Sequence, residues 1–120
     1  MKEHIELGKT GENQAVGYLC RKGYQVIDRN WRLGHHEIDL VAMDGGTVVI
    51  VEVKTRNSGS YCDPGQAVGP LKQKILVYAA NAWTRFHSYE GEVRFDVVTI
   101  LMVKGEKPLI RHIKDAFYPW

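Results

Sequence analysis

The sequence predicts an α/β sandwich with a mixed central sheet flanked by helices, in the order αβββαβ(β). Two kinds of pattern support this fold class. Apolar residues recur with a helical period in two segments, while alternating residues or apolar runs mark three strands between these helices and one or two after them. The 120 residues are 44% hydrophobic and 25% charged, which is typical of a globular protein. We expect one domain over residues 1–120.

Each helix has a recognisable boundary. The first helix is expected to begin near Thr10, which suits an N-cap, and to end just before Gly23. Its apolar stripe consists of Ala15, Val16, Leu19 and Cys20. The second helix is expected to carry Pro70 in its first turn. Its apolar face is expected to hold Leu71, Ile75, Tyr78, Ala79, Ala82 and Phe86.

The strands follow from alternation and from apolar runs between turn residues. They are expected at YQVIDRNWRL (24–33), HEIDLVAM (36–43), TVVIVEVKTR (47–56), VRFDVVTILM (93–102) and, as the optional last strand, PLIRHI (108–113). Residues 57–69 form a loop rich in Gly, Ser, Asn and Pro. Loops of this length are often functional, so we expect a mobile loop there.

Charge and cysteine content limit the class of protein. The net charge of +2 permits a polyanionic partner without demanding one. The two cysteines form no disulfide framework. The first residues, MKEHIELGKTGEN, contain no apolar run, so neither a signal peptide nor a membrane span is expected. A soluble cytoplasmic protein with no membrane partner is the expectation, and a homodimer is left open.

A hairpin between the second and third strands decides which side chains meet. If Gly45-Gly46 is the turn, Asp39 lies directly opposite Glu52. If Asp44-Gly45 is the turn, Asp39 lies diagonal to Glu52 instead. Either two-residue loop puts the two carboxylates on one face of the sheet, whereas a three-residue loop without a bulge would separate them.

Lys54 follows Glu52 by two residues and therefore shares its face. That face also carries Val41, Met43, Val48 and Ile50. The opposite face is expected to be ordinary core, made of Ile38, Leu40, Ala42, Val49, Val51 and Val53. The charged residues thus stand at one end of an otherwise apolar face.

Two carboxylates this close repel each other unless a positive charge lies between them. Asp39 and Glu52 as oxygen ligands would suit Mg²⁺ or Mn²⁺ rather than zinc. Lys54 beside such a metal could orient a water or stabilise charge on a phosphate. The structural alternative is a cross-strand ion pair, such as Glu37 with Lys54. Glu12 either joins the carboxylates from the inward stripe of the first helix or only complements the helix dipole.

Four polar residues are candidates for binding nucleic acid. Lys72, Gln73 and Lys74 lie in the first turn of the second helix, where free backbone amides favour phosphate. The alternative is a solvated helix face. Arg56 leaves the third strand on the Lys54 side and either holds a phosphate next to the metal or pairs with an acid.

The segments TGENQAVGYLCRKGYQVIDRNWR and EIDLVAMDGGTVVIVEVKTR, at 10–32 and 37–56, resemble the YraN-type family of small bacterial proteins. The similarity runs from about Gly8 through RFDVV at 94–98. That family resembles the PD-(D/E)xK nucleases and, among them, archaeal Holliday-junction resolvases. The resemblance implies a restriction-endonuclease-like fold, metal ligation by Asp39 and Glu52, a catalytic Lys54 and a supporting acidic role for Glu12.

Two positions depart from the family pattern. His36 stands where a glycine usually precedes Glu-Ile-Asp, and Cys62 stands where glycine is common in the long loop. The change at His36 touches the strand that delivers Asp39, so it could alter substrate access.

Two functions remain open. The first is a Mg²⁺- or Mn²⁺-dependent DNA endonuclease or exonuclease acting on branched or damaged DNA. The second is a catalytically silent module that binds nucleic acid or protein.

Overall fold

The computed structural model describes residues 2–57 and 68–118, with the backbone alone for residues 2–9. Its helices and strands are α1 (Lys2–Arg21), β1 (Gln25–Leu33), β2 (His36–Asp44), β3 (Thr47–Asn57), α2 (Pro70–Phe86), β4 (Val93–Met102) and β5 (Leu109–Phe117). The predicted α/β class and element order are therefore confirmed, with the optional last strand present. No helix within the described ranges is long and apolar enough to cross a membrane.

The five strands form one mixed sheet in the order β1-β2-β3-β4-β5. Neighbouring strands are antiparallel except for β3 and β4, which are parallel. A parallel pair needs a crossover connection, and α2 lies in the connection between these two strands. The single parallel pair stands at the centre of the sheet, where both faces are covered.

Each face of the sheet packs against one helix. The core under α1 consists of Ala15, Leu19, Tyr24, Leu40, Ala42, Val49, Val51, Val98 and Ile100. The core under α2 consists of Ile38, Val41, Val48, Ile50, Val68, Leu76, Ala79, Ala80, Trp83, Phe95, Val97 and Phe117. Alternation along β3 thus assigns odd-numbered residues from Val49 to the α1 side and even-numbered ones to the α2 side.

Helix α1 begins at Lys2, so the predicted start near Thr10 is wrong. The preceding residues include Lys, Glu and Leu, which are good helix formers, and they extend the helix through Thr10. The predicted end is confirmed. Gly23 has a φ of 93°, and Tyr24 N–H donates to the Leu19 carbonyl at 3.0 Å, which is the pattern of a Schellman cap.

The predicted apolar face of α2 is wrong in large part. The buried residues of this helix are Leu76, Ala79, Ala80 and Trp83. Only Ala79 of the predicted set is among them, while Leu71, Tyr78 and Phe86 are exposed. Trp83 has the largest apolar body on the helix, and its Nε1–H donates to Asp28 Oδ2 of β1 at 2.9 Å. The face that contains Trp83 and the small alanines therefore packs against the sheet, and the predicted face points away from it.

A buried polar network lies between β4 and β5. The Asp96 carboxylate accepts hydrogen bonds from Arg94, from His112 Nε2 at 2.7 Å and from the Asp115 backbone N–H. Burial alone would raise the pKa of Asp96, but these hydrogen bonds outweigh it and lower the pKa. Arg94 also donates to the Tyr24 hydroxyl, so the network joins the end of α1 to the sheet.

Candidate active site

The hairpin between β2 and β3 has the first of the two predicted turns. Asp44 pairs with Thr47, which leaves two glycines in the turn, and Gly45 has a φ of 60°. A left-handed residue is what tight hairpin turns require, and glycine adopts it without steric cost. This register places Asp39 one step beyond the last ladder pair and opposite Glu52.

The strands separate at Asp39. The β2–β3 ladder ends with Leu40 opposite Val51, and Asp39 Oδ2 accepts a hydrogen bond from the Val53 backbone N–H at 2.8 Å. The carboxylate therefore occupies the place of a backbone acceptor at the opening between the strands. Asn30 stands across from Asp39 in β1 and has a positive φ of 53°.

This irregularity corrects one predicted core assignment. Ile38 was expected on the same face as Leu40, but it packs in the core under α2 while Leu40 packs under α1. Regular alternation would keep residues two apart on one face. The break at Asp39 and the left-handed Asn30 interrupt that alternation, so Ile38 changes sides.

Asp39 and Glu52 form a close carboxyl pair. Burial raises the pKa of Asp39 to about 7, and the neighbouring Glu52 adds to the effect through a hydrogen bond and through its negative charge. The Val53 N–H and the charge of Lys72 lower the pKa of Asp39 and so limit the rise. At neutral pH the pair therefore holds less than its full negative charge, and a cation that bound both carboxylates would displace the proton from Asp39.

Glu52 carries the clearest sign of an incomplete site. The residue is only 6% exposed, and its Oε2 has no hydrogen-bond partner among the residues that the structure describes. Lys72 Nζ of α2 lies 3.5 Å from the same oxygen, close enough for an ion pair. A buried carboxylate oxygen without a hydrogen bond is costly, so this atom has unused capacity for a ligand.

Lys54 and Thr99 extend the same face. Lys54 follows Glu52 by two residues and is partly buried, and its side chain makes no hydrogen bond or ion pair within residues 2–57 and 68–118. Thr99 is its pairing partner in β4, and its buried Oγ1 is likewise without a partner in the described part of the chain. Sequence reasoning missed Thr99, because a threonine in a strand is indistinguishable from an ordinary strand former.

Glu12 is engaged elsewhere. Its Oε1 accepts hydrogen bonds from Arg29 Nε and Nη2 and from Asn30 Nδ2 at 2.9–3.2 Å. No group of three or more His, Cys, Asp or Glu side chains that could hold a metal ion occurs within the described ranges. The structure thus unites Asp39 and Glu52, not all three acids, and the supporting role of Glu12 stays a prediction.

The other predicted binding residues lie in the first turns of α2 and at the end of β3. Gln73 Nε2 donates to the Val68 carbonyl at 3.0 Å, so this side chain supports the start of the helix. Arg56 continues the Lys54 face and donates from Nη1 to the Thr55 carbonyl. Lys74 is exposed in the first turns of α2. Their binding of nucleic acid stays a prediction, and residues 58–67 of the expected mobile loop lie outside the described residues.

The donor set fits a hard divalent cation. Mg²⁺ is commonly held by one or two carboxylates, with water and substrate phosphates completing its coordination. Asp39 and Glu52 supply such a pair, and Glu52 Oε2, which has an ion-pair contact with Lys72 but no hydrogen bond in the described part of the chain, has capacity for a further ligand. Paired carboxylate oxygens are the ligands that Mg²⁺ and Mn²⁺ prefer.

Comparison with known proteins gives a consistent result. A family model described as uncharacterised protein family UPF0102 matches residues 11–100. The chain belongs to this family. A UPF0102 protein of Bacteroides thetaiotaomicron is 48% identical over 119 residues, covering 99% of this chain and 98% of its own length. A UPF0102 protein of Geobacter sulfurreducens is 46% identical over 112 residues, covering 92% and 88%.

Another UPF0102 protein, from Renibacterium salmoninarum, is 43% identical over 115 residues, covering 95% of this chain and 98% of its own. The predicted membership of the YraN-type family is thereby confirmed. The region matched by the UPF0102 model includes every residue of the face described above, from Asp39 to Thr99. The names of these UPF0102 relatives state no activity, so function is argued from the geometry of the site.

Proposed function

We propose that this UPF0102 protein is a metal-dependent DNA nuclease that hydrolyses phosphodiester bonds. Branched DNA of repair or recombination is the proposed substrate class, and the cytoplasm is the proposed location. The observation that carries the proposal is the close Asp39–Glu52 pair, in which Glu52 is buried and its Oε2 lacks a hydrogen-bond partner in the described part of the chain. A pair that served only the fold would have its oxygens satisfied.

In the proposed site, Asp39 and Glu52 hold Mg²⁺ or Mn²⁺. The bound cation supplies positive charge for the scissile phosphate and makes a neighbouring water more acidic. The Val53 N–H fixes one oxygen of Asp39, which orients the carboxylate toward the opening between β2 and β3. This backbone hydrogen bond keeps the Asp39 carboxylate in place before the substrate arrives.

Lys54 has two roles open to it in hydrolysis. Water attacks phosphorus, one P–O ester bond breaks, and the departing oxygen takes up a proton. Lys54 lies on the Glu52 face without an ion pair within the described ranges, so its amine is available to position the attacking water or to stabilise negative charge on the phosphate. Arg56 and Lys72 lie at the margins of the same face and are proposed to hold neighbouring phosphates.

The ion pair between Lys72 and Glu52 supports a second candidate function. An ammonium group 3.5 Å from Glu52 Oε2 already supplies positive charge to the carboxylates. In this alternative the pair needs no metal, and the fold serves as a module that binds nucleic acid or protein without cleaving. The two candidates differ in whether a divalent cation displaces Lys72 from Glu52.

Cleavage assays test the proposal directly. Purified protein is incubated with linear, nicked and four-way-junction DNA, with Mg²⁺, with Mn²⁺ and with EDTA. We expect metal-dependent products that disappear in Glu52→Gln and in Lys54→Ala, while Glu106→Gln, an exposed acid in the β4–β5 turn, behaves as wild type. A folded wild type that cleaves none of these substrates with either metal would favour the binding module.

A further inference from the structure

Helix α2 carries an apolar stripe on the side turned away from its buried face, and most of this stripe is exposed. The stripe consists of Leu71, Ile75, Tyr78, Ala82 and Phe86. Three of these residues are largely exposed, Leu71 at 73%, Tyr78 at 55% and Phe86 at 77%. At 3.6 residues per turn the five positions fall within about 80° of one another around the helix, and from first to last they span about 22 Å.

Aromatic rings from the sheet edge border the stripe. His36 at the start of β2 meets the Tyr78 ring edge-on, with centroids 5.7 Å apart. Trp31 of β1 lies against Phe86 with centroids 6.5 Å apart. The stripe is therefore the exposed part of a broader aromatic surface, and His36 forms part of its border.

The charges around the stripe are positive. Helix α2 contains Lys72, Lys74 and Arg85 and no aspartate or glutamate. Beyond the helix, Glu37 is paired with Arg32 at 2.9 Å, and Asp28 accepts from Trp83 and lies near His87. Lys72 is likewise paired with Glu52, so the positive charge that this surface offers to a partner comes from the excess of basic over acidic residues on α2 itself.

This charge pattern disfavours a second copy of the chain as the occupant. The stripe is centred near Tyr78, so two antiparallel α2 helices would bring Lys72 and Lys74 of each copy toward Arg85 of the other. Six cations and no helix anion would then meet across a low-dielectric contact. A polyanion with flat apolar groups matches both features of the surface instead.

The stripe is continuous with the carboxylate site. Lys72 lies beside Leu71 in the chain and places its Nζ 3.5 Å from Glu52 Oε2. His36, which borders the stripe at Tyr78, precedes Asp39 by three residues on β2. A strand whose phosphate lies at Asp39 and Glu52 could therefore run directly onto α2.

We propose that the α2 stripe binds unpaired bases of a single-stranded nucleic-acid segment next to the Asp39–Glu52 pair. Bases stack on exposed aromatic rings whatever their sequence, and basic residues beside the rings hold the backbone. A continuous duplex keeps its bases stacked inside and presents phosphates, which cannot stack on the rings of Tyr78 or Phe86. The substrate class of the nuclease proposed above, on whose function this inference rests, is thus DNA with a single-stranded arm or gap.

Binding without metal tests this inference separately from cleavage. Fluorescence anisotropy in EDTA compares a labelled single-stranded oligonucleotide with the same sequence as a duplex. We expect Tyr78→Ala and Phe86→Ala each to weaken single-strand binding by about 5- to 150-fold, the range for loss of one stacked base, with duplex binding changed less than about twofold. Tyr78→Phe should restore single-strand binding. Tyr118→Ala, which removes a tyrosine after β5 that is more exposed than Tyr78, should bind as wild type.

Each other outcome counts against the inference. Equal effects on single-stranded and duplex DNA, or none, would mean that the stripe does not receive unpaired bases. A wild-type dimer in sedimentation velocity that Tyr78→Ala dissociates would assign the stripe to self-association. Stripe-dependent binding without metal-dependent cleavage would overturn the proposed nuclease alone, whereas cleavage by a protein whose single-strand binding ignores Tyr78→Ala and Phe86→Ala would overturn this inference alone.

Discussion

Asp39 Oδ2 accepts a hydrogen bond from the Val53 backbone N–H at 2.8 Å, at the position where β2 and β3 stop pairing. One carboxylate thus has two tasks, since it completes the hydrogen bonding of β3 and also forms the acid pair with Glu52. Asparagine can perform the first task through its side-chain carbonyl, but it cannot carry the negative charge of the second. Asp39→Asn is therefore the substitution that separates fold from chemistry.

The first prediction concerns stability against pH in the absence of metal. Asp39 has a pKa of about 7 in the folded protein and an ordinary value of 3.8 when unfolded. The folded state therefore retains a proton that the unfolded state has lost, and stability falls as pH rises from about 4 to about 7. Asp39→Asn removes this cost, so at pH 8 it should be more stable than wild type, on the order of a few kcal/mol, and near equal at pH 4.

Urea denaturation at both pH values, in EDTA, measures this difference. Glu106→Gln is the control, because it also removes one carboxylate but lies in an exposed turn. It should match wild type at both pH values. A stabilisation of Asp39→Asn that is as large at pH 4 as at pH 8 would mean that ionisation of Asp39 is not its source.

The second prediction concerns the affinity for a divalent cation. Metal binding requires Asp39 in its ionised form, so binding must release a proton when the pH lies below the raised pKa. Isothermal titration with Mn²⁺ should show tighter binding at pH 8 than at pH 6, by up to about tenfold, with proton uptake by the buffer at pH 6. Asp39→Asn should bind weakly and without proton release. Equal affinities at the two pH values would contradict ligation by Asp39.

The strands and the site pair were predictable because they depend on short-range rules. Alternation located β1 to β4, and a two-glycine turn fixed the register that brings Asp39 to Glu52. The alternative turn at Asp44-Gly45 could not be excluded from sequence, since both dipeptides form tight hairpins. Predicting the hairpin register therefore required no knowledge of how the helices pack on the sheet.

Errors arose where tertiary contacts override periodicity. On α2, the stripe of Leu71, Tyr78 and Phe86 has the spacing of a buried face, yet Trp83 and its bond to Asp28 decide which side packs. The left-handed Asn30 similarly broke the alternation that assigned Ile38. Neither the partner of Trp83 nor the conformation of Asn30 is visible in local sequence.

The third prediction compares two glycines of α1. A Cβ added at Gly11 would clash with the Thr55 side chain of β3, whereas at Gly17 the nearest atom is Arg21 Nη1 at 3.2 Å, the end of a flexible side chain. Gly11→Ala should therefore destabilise the protein by about 1–3 kcal/mol, because the helix must move from the sheet. Gly17→Ala should be neutral or stabilise by up to about 1 kcal/mol through helix propensity.

Urea midpoints of the two variants at one pH measure the comparison. Both substitutions add one methyl group to the same helix, so their difference isolates the contact with Thr55. If Gly11→Ala were as stable as Gly17→Ala, the close approach of α1 to β3 would be wrong, and the placement of Glu12 next to Arg29 would need revision.

The fourth prediction separates binding from cleavage at neighbouring residues. At pH 8 without metal, Asp39 and Glu52 present negative charge to an incoming phosphate. Asp39→Asn lowers that repulsion and should bind DNA as tightly as wild type or more tightly. The same variant should lose metal-dependent cleavage, because the cation loses a charged ligand. Arg56→Ala should instead weaken binding to every DNA sequence. If Arg56 neutralises one phosphate, the slope of the logarithm of the binding constant against the logarithm of the salt concentration should fall in magnitude by about one unit.

Titrations at several salt concentrations distinguish these two phenotypes, and circular dichroism confirms that each variant is folded. Lys72→Ala adds a third case, because it removes both a phosphate contact and the ammonium group 3.5 Å from Glu52 Oε2. It should therefore weaken DNA binding more than Arg56→Ala when metal is absent, and less when Mn²⁺ restores the positive charge beside Glu52. If Asp39→Asn weakens metal-free binding as much as Lys72→Ala does, Asp39 organises the contact surface rather than repelling phosphate, and the proposed division between ligand and binding residues is wrong.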